Sequence, residues 1–122
     1  MKFPKKLNKL KLAFITGATK GIGRSTAITF ANAGWDLILL ARKMESMERL
    51  KSELLPSKSK INLVKCDLSN SLEIDSCVKE AIEKYGCPSV LINNAGCAFN
   101  GSLVEMDFGQ WEQTIQINLT SV

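Results

Sequence analysis

Four short apolar runs, separated by segments with helical periodicity, constrain the fold of this 122-residue chain more than any other feature. Each run is apolar almost throughout and does not alternate apolar with polar residues. Strands of this kind are buried on both faces, which requires a parallel sheet with helices packed on either side. The pattern therefore predicts an α/β fold, a doubly wound parallel sheet built by right-handed crossovers.

The predicted elements alternate from residue 12 onward. The strands are predicted at 12–16, 35–41, 61–67 and 89–94. The helices are predicted at 22–33, at 43–55, from a cap at Ser69 or Asn70 to Gly86, and from about Phe108. The last helix carries Trp111, Ile115 and Leu119 on one face, and its pattern continues to the end of the chain.

The positive charge of the chain is concentrated at its N-terminus. The formal net charge is +4, and five of the sixteen basic residues are Lys2, Lys5, Lys6, Lys9 and Lys11. Residues 12–122 hold eleven basic and twelve acidic side chains, a net charge of −1, without the basic face that nucleic-acid binding requires. We expect no nucleic-acid partner and interpret residues 1–11 as a solvated basic extension, with binding to anionic lipid as the alternative.

Cellular location is indicated by apolar run length and by the cysteines. The longest apolar run has about five residues (LILLA), too few for a signal-peptide core or a membrane span. The four cysteines are Cys66, Cys77, Cys87 and Cys97. They form no C-x-x-C pair and the chain has no histidine, so the sequence predicts no metal site. Isolated thiols suit a reducing compartment, and we expect a cytoplasmic protein without a membrane partner.

A glycine-rich loop joins the first predicted strand to the first predicted helix. It reads TGATKGIG from Thr16 to Gly23. The unpaired N–H groups of a helix start, together with the helix dipole, favour an anion, so the loop suits a phosphate. The spacing G-x-x-x-G-x-G is one residue longer than the common dinucleotide motif, and no Gly-Lys-Ser/Thr follows as in a Walker loop. An ordinary tight turn is the alternative.

The residues after the second predicted strand indicate which dinucleotide the loop would hold. NAD sites of this architecture place an Asp or Glu there, about 20 residues beyond the loop, to bond the ribose 2′-OH. Here the sequence reads Ala41-Arg42-Lys43, so no acid would repel a 2′-phosphate, and Arg42 can bind that phosphate bidentately. Lys20 in the loop can approach the same phosphate. We therefore predict NADP (NADPH) as the cofactor, with simple solvation of Lys20 and Arg42 as the alternative.

Four motifs, in order, resemble those of the short-chain dehydrogenase/reductase family. They are TGATKGIG after the first strand, Asp67-Leu68 after the third, Asn93-Asn94-Ala95-Gly96 after the fourth, and Asn118 in the following helix. The match runs from about residue 12 to the last residue, and the two glycine-containing motifs are specific in combination. The resemblance implies a Rossmann-like sheet with the strand order 3-2-1-4. It also implies an NADP-dependent oxidoreductase that transfers hydride between NADPH and a small carbonyl or alcohol substrate.

The resemblance assigns a cofactor-binding role to thirteen residues: Thr16, Gly17, Thr19, Lys20, Gly21, Ile22, Gly23, Arg42, Asp67, Leu68, Asn93, Ala95 and Gly96. The loop glycines and the backbone at Ile22 would hold the pyrophosphate. Asp67 would bond the adenine amino group, with Leu68 behind it. Asn93, with the backbone of Ala95 and Gly96, would stabilise the central sheet and line the ribose side of the cofactor.

Asn118 is the one catalytic residue that the resemblance implies within this chain. It would hold a water molecule in the proton relay of the family. An exposed polar position on a helix is the alternative for Asn118, and a helix cap is the alternative for Asp67.

The catalytic Tyr of the family, and the Lys four residues after it, have no counterpart in the chain. Its single tyrosine, Tyr85, precedes Ser89 by four residues, and we expect it to pack. In the implied strand order the fourth strand would be an uncovered edge, and the last helix has no termination signal before Val122. We interpret residues 12–122 as the N-terminal part of an NADP-binding Rossmann domain, truncated and inactive alone. A non-catalytic dinucleotide-binding module is the alternative.

The family resemblance also bears on assembly. In the family, the helix that corresponds to the one with Trp111 and Asn118 packs against a partner subunit. The resemblance therefore implies a homo-oligomer for the full-length protein, with burial against the rest of the same chain as the alternative. Keto-acyl carrier-protein reductases are among the family members with a front half of this kind.

Overall fold

The computed structural model describes residues 11–122, and the predicted basic extension lies, apart from Lys11, outside the described residues. The strands are β1 (Leu12–Thr16), β2 (Asp36–Ala41), β3 (Ile61–Lys65) and β4 (Val90–Ile92). The helices are α1 (Gly21–Asn32), α2 (Met44–Glu53), α3 (Ser71–Tyr85) and α4 (Phe108–Ile115). A 3-10 turn (Leu55–Ser57) follows α2, and a π-helical turn (Gln116–Thr120) follows α4. Within this range no helix combines the length and the apolar character that crossing a membrane would require.

The four strands form one parallel sheet in the order β3-β2-β1-β4, which confirms the predicted strand order. Thr16 lies opposite Leu40, and Ile15 lies opposite Ile92. Ala41 in turn lies opposite Lys65. The carboxyl ends of all four strands therefore meet at one edge of the sheet, where ligands of open α/β sheets bind.

Strands β1 and β2, at the centre of the sheet, are buried on both faces, and successive side chains of each strand point to opposite sides. On one face the strand side chains Ala13, Ile15, Leu37 and Leu39 pack against Ala27 and Ala31 of α1 and Met47 and Leu50 of α2. On the other face Leu12, Phe14, Ile38 and Leu40 pack with Ala81 of α3 and with Ile117 of the π-helical turn. This two-sided cover is the arrangement that the apolar strands predicted.

Helix α3 begins at a side-chain cap. The Asn70 carboxamide oxygen accepts hydrogen bonds from the backbone N–H groups of Leu72 (3.2 Å) and Glu73 (3.4 Å). Of the two residues proposed as the cap, Asn70 is confirmed. The helix continues to Tyr85, so its predicted extent to Gly86 is also confirmed.

Strand β4 is shorter than the predicted strand at 89–94. The ladder ends at Ile92. Beyond it, the backbone N–H groups of Asn94 and Ala95 bond to the side chain of Thr16 and not to a neighbouring strand. The chain therefore leaves the sheet at Ile92, two residues before the predicted end of the strand at residue 94.

The predicted last helix is divided in two. After Ile115 the backbone widens into the π-helical turn, in which the N–H of Ser121 bonds to the carbonyl of Gln116 at 2.9 Å. The face predicted from Trp111, Ile115 and Leu119 stays outside the described core, with 46%, 38% and 68% of these residues exposed. Ile117, on the π-helical turn, is the residue of this region that packs into the described core.

Candidate functional site

Hydrogen bonds around Thr16 join the end of β1 to the loop after β4. The buried Thr16 hydroxyl oxygen accepts the backbone N–H groups of Asn94 (3.1 Å) and Ala95 (3.0 Å). The Asn94 amide nitrogen donates to the carbonyls of Thr16 (3.0 Å) and Gly17 (3.1 Å). These bonds fix the glycine loop against the β4 loop. Thr16, predicted to contact the cofactor, therefore positions the site with its side chain.

Two glycines of the loop are required by this close packing. A Cβ atom on Gly17 would lie 2.8 Å from the Cα of Ala95, and Gly17 also has a φ of 65°, which glycine adopts without strain. A Cβ atom on Gly23 would lie 2.3 Å from the Asn94 amide nitrogen. At Gly21, by contrast, a Cβ atom would meet nothing within 4 Å. The open space of the loop is therefore in front of Gly21.

The N-terminus of α1 opens into that space without a cap. Lys20 occupies the cap position, no side chain bonds the first-turn N–H groups, and the first turn holds no acid. Lys20, Gly21 and Ile22 are exposed, and Thr19 before them is half-buried. Unpaired N–H groups and the positive end of a helix dipole favour an anion. The loop is therefore suited to bind a phosphate group.

Arg42 stands beside this loop because β2 ends next to β1. It directly follows Ala41, the last residue of β2, and its side chain is exposed. Among the residues that the structure describes, no ion pair involves Arg42. The guanidinium is thus available to an anionic ligand.

Asp67 is held by the turn that leads from β3 into α3. Its Oδ1 atom accepts hydrogen bonds from the backbone N–H (3.0 Å) and the hydroxyl (2.8 Å) of Ser69. These bonds, with a smaller contribution from the charge of Arg42, hold the pKa of the Asp67 carboxyl below its usual range. The alternative that Asp67 caps α3 is wrong because Asn70 is the cap. Leu68, which follows, is buried in the core.

The two adjacent asparagines of the β4 loop have different surroundings. Asn93 is exposed, whereas the half-buried Asn94 makes the bonds that tie β1 to the loop. The sheet-stabilising contacts expected of Asn93 are therefore made by Asn94, to which the sequence motifs assigned no role. Strand alternation was the available signal: Val90 and Ile92 face α1 and α2, so the residue at 94 points the same way.

Asn118 holds the loop that follows Gly96. Its Oδ1 atom accepts the backbone N–H of Cys97 at 2.8 Å, and its Nδ2 atom donates to the carbonyl of Cys97 at 2.8 Å. A Cβ atom on Gly96 would lie only 3.3 Å from Oδ1. Asn118 is therefore more than an exposed polar residue on a helix, because it joins the π-helical turn to the β4 loop.

Tyr85 lies away from this group of residues. It is the last residue of α3, at the end of that helix farthest from Asp67 in sequence. It is half-buried against the core face that contains Leu12 and Phe14. The Lys84 ammonium lies 5.2 Å from the centre of its ring. Tyr85 packs, as expected from its place in the sequence.

Comparison with known proteins identifies the family to which these features point. The family model for short chain dehydrogenases matches residues 11–122. An uncharacterised oxidoreductase of Listeria innocua is 36% identical over 114 residues, which are 93% of this chain and 46% of that protein. The chain spans about half the length of the curated relatives that it matches.

Solved structures share the fold. A short-chain dehydrogenase from Sphingobium yanoikuyae in complex with NADPH matches with a TM-score of 0.83 and 32% identity, over 90% of this chain and 43% of that one. A metagenomic short-chain oxidoreductase in complex with NADP matches with a TM-score of 0.85 and 32% identity, over 90% of this chain and 50% of that one. The four-stranded sheet and its loops therefore have the architecture of these oxidoreductases.

The contacts of Asn94 can be tested against those of its neighbour. We expect Asn94→Ala to lower the free energy of unfolding by about 1–3 kcal/mol, because two backbone carbonyls lose their amide donor. Asn93→Ala, at an exposed position, is the control and should change it by less than about 0.5 kcal/mol. Urea unfolding followed by circular dichroism measures both variants. Similar losses in the two variants would contradict the role given to Asn94.

Proposed function

The chain belongs to the short-chain dehydrogenase family, and on that premise we propose that residues 12–122 are the N-terminal, cofactor-binding part of an NADP-dependent oxidoreductase. The bound cofactor supplies hydride exchange with a small carbonyl or alcohol substrate, and the protein binds and orients it. The observation that carries the proposal is the placement of the uncapped α1 N-terminus, Arg42 and Asp67 at one edge of the sheet.

The pyrophosphate would lie at the start of α1. The open space in front of Gly21 and the exposed backbone at Ile22 support this placement, since nothing in the described structure fills that space. Gly17 and Gly23 act differently: they let the loop lie directly against Asn94 and Ala95, which fixes the direction of the first-turn N–H groups. Fixed dipoles bind an anion without the cost of ordering them at the moment of binding.

The proposed preference for NADP over NAD depends on charge at the end of β2. Arg42 is exposed and free of an ion pair within residues 11–122, and Lys43 follows it. A guanidinium binds a phosphate through two parallel hydrogen bonds, which favours a ribose that carries a 2′-phosphate. Lys20, exposed at the cap position of α1, would add a second positive charge on the other side of that phosphate.

The adenine and ribose would contact the ends of β3 and β4. The second carboxylate oxygen of Asp67, Oδ2, has no hydrogen bond within the described residues, whereas Oδ1 is occupied by Ser69. A carboxylate kept ionised by a lowered pKa is a good acceptor for an amino group such as that of adenine. Exposed Asn93 and Gly96, with the half-buried Ala95, would line the ribose side.

Asn118 is the residue proposed to take part in proton transfer, by holding a water molecule. Its two 2.8 Å bonds to Cys97 support this role because they fix Asn118 and the β4 loop in one relative position. The π-helical turn that contains it is a distortion found often at functional sites. The four cysteines, all free thiols, support the proposed cytoplasmic location.

We expect Arg42→Ala to weaken NADPH binding about tenfold or more and NADH binding by no more than about twofold, because only NADPH carries the phosphate that Arg42 would bind. Arg49→Ala is the matched control, since Arg49 is an exposed arginine on α2 paired with Glu45. Fluorescence titration of each variant with both cofactors measures the effect. Equal losses for NADPH and NADH would contradict the proposed specificity.

Catalysis requires residues that these 122 do not contain. In the family a tyrosine is activated by the lysine four residues after it, whereas Tyr85 is followed at that position by Ser89. Tyr85 also lies at the last residue of α3, away from the residues of the site, although Lys84 is beside its ring. We therefore expect the chain alone to be inactive. We also expect the reading frame past Val122 to encode a Ser and then Tyr-x-x-x-Lys. Sequencing an uninterrupted transcript checks this, and a stop codon directly after Val122 would contradict the oxidoreductase proposal.

The complete protein is proposed to form homo-oligomers through α4. Phe108 and Trp111 are 67% and 46% exposed, and their rings stack with centroids 5.8 Å apart. Exposed aromatic surface of this kind is typical of protein contacts. Light scattering of the complete protein should give a multimer that Trp111→Glu dissociates and that Glu112→Gln, on the same helix, leaves unchanged. A wild-type monomer, or a multimer insensitive to Trp111→Glu, would contradict this proposal.

A further inference from the structure

Two cysteines and one glutamate meet beneath the end of β3. Cys66 directly follows β3, and Glu73 and Cys77 lie one helical turn apart near the start of α3. One ligand atom from each, the two sulfurs and a carboxylate oxygen, lies within 4.8 Å of the other two. Cys66 is fully buried, and Glu73 and Cys77 are half-buried. Three metal-ligating groups are therefore brought together from a strand end and a helix.

We propose that this Cys66–Glu73–Cys77 cluster binds a thiophilic divalent cation, for which Zn²⁺ is the best match. Zinc takes thiolates at about 2.3 Å and carboxylate oxygens at about 2.0–2.2 Å in a tetrahedral arrangement. That geometry separates neighbouring ligand atoms by roughly 3.5–3.8 Å. The ligand atoms of the cluster lie within 4.8 Å of one another, so small side-chain rotations would bring them to the tetrahedral separations. Three protein ligands leave the fourth position to water.

The backbone already holds each ligand in place. The N–H of Cys66 bonds to the carbonyl of Ala41 at 3.1 Å, which fixes Cys66 against β2. Glu73 and Cys77 are four residues apart on α3, so their side chains lie on the same face of the helix. The thiol of Cys77 also lies 3.4 Å from the carbonyl of Lys65, the residue before Cys66.

Glu73 has one oxygen to spare for a cation. Its Oε1 atom accepts the backbone N–H of Asp67 at 3.0 Å, which orients the carboxylate. The other oxygen has no hydrogen bond within the part of the chain that the structure describes. Carboxylates that bind metals are commonly oriented by hydrogen bonds of this kind. In Glu73 one oxygen would keep the hydrogen bond to Asp67 while the other binds the cation.

Metal binding at this place is coupled to loss of a proton. Burial, with the neighbouring Cys77 and Glu73, raises the pKa of the Cys66 thiol to about 12, so Zn²⁺ would bind by displacing the thiol proton and would then neutralise the charge of the ligands. The cysteines lack C-x-x-C spacing and the chain lacks histidine, so the sequence by itself predicted no metal site. The fold nevertheless brings together ligands that are up to eleven residues apart in the sequence. The proposed metal site does not rest on the proposed oxidoreductase function.

The test is a titration of the full 122-residue chain, reduced and metal-free, with Cd²⁺ and with Zn²⁺. Cd²⁺ should produce an ultraviolet thiolate-to-metal charge-transfer band that saturates at one equivalent. Competition with a chromophoric chelator gives the Zn²⁺ affinity. Cys77→Ser should abolish most of the band and weaken Zn²⁺ binding by more than about 100-fold. Loss of a residue that only supports a metal ligand costs roughly 10- to 100-fold in affinity, so a larger loss identifies Cys77 as a ligand.

Two further variants keep the test decisive. Cys87→Ser, at an exposed position after α3, is the matched control and should leave the band and the affinity unchanged. Glu73→Gln keeps a side-chain oxygen for the N–H of Asp67 but removes the charge, so it should keep the fold by circular dichroism and weaken Zn²⁺ binding about tenfold or more. If Cys77→Ser does not fold, Glu73→Gln decides the question. A wild-type chain without a saturable band, a band lost in Cys87→Ser, or wild-type affinity in Glu73→Gln would overturn the proposal.

Discussion

The hydrogen bonds between Thr16 and Asn94 are the interaction on which the rest of the site depends. β4 pairs with β1 over only three residues, and beyond that ladder the β4 loop is joined to β1 by the Thr16 hydroxyl and the Asn94 amide. These bonds need backbones in near contact, which only glycine permits at 17 and 23. The direction of the first turn of α1 follows from the same contacts. A site at this edge of the sheet is therefore built on backbone packing before any ligand is considered.

Charge at the edge of the sheet follows from this arrangement. Each parallel strand ends beside its neighbour, so the residues directly after β1, β2 and β3 become neighbours in space although they are about 25 residues apart in sequence. The positive end of the α1 dipole and the exposed Arg42 guanidinium both favour an anion at this edge of the sheet. Asp67 is kept ionised beside them by the two bonds from Ser69. The same side of the molecule thus offers groups suited to bind a phosphate and a carboxylate that can accept a hydrogen bond.

The sequence was informative where the physical requirement is local. Apolar runs alternating with helical periodicity predicted the parallel sheet, because strands buried on both faces have no other stable environment. The glycine spacing predicted the loop before α1. Asn70 could be named as a possible cap because a capping side chain bonds only to backbone N–H groups within the next three residues. The family motifs added the strand order. Less local features were missed: the early end of β4 and the burial of Ile117.

What the sequence by itself determined is therefore the element order, the sheet topology and the set of residues at its carboxyl edge. Which of two adjacent asparagines ties the sheet to the loop was decided by tertiary structure, since strand alternation and the position of β1 place Asn94 inward and Asn93 outward. The same holds for Asn118, whose partner Cys97 lies 21 residues away. The cluster of Cys66, Glu73 and Cys77 exists only because α3 packs back on the end of β3. Pattern and propensity act over a few residues, whereas contacts between distant segments depend on how the completed elements pack.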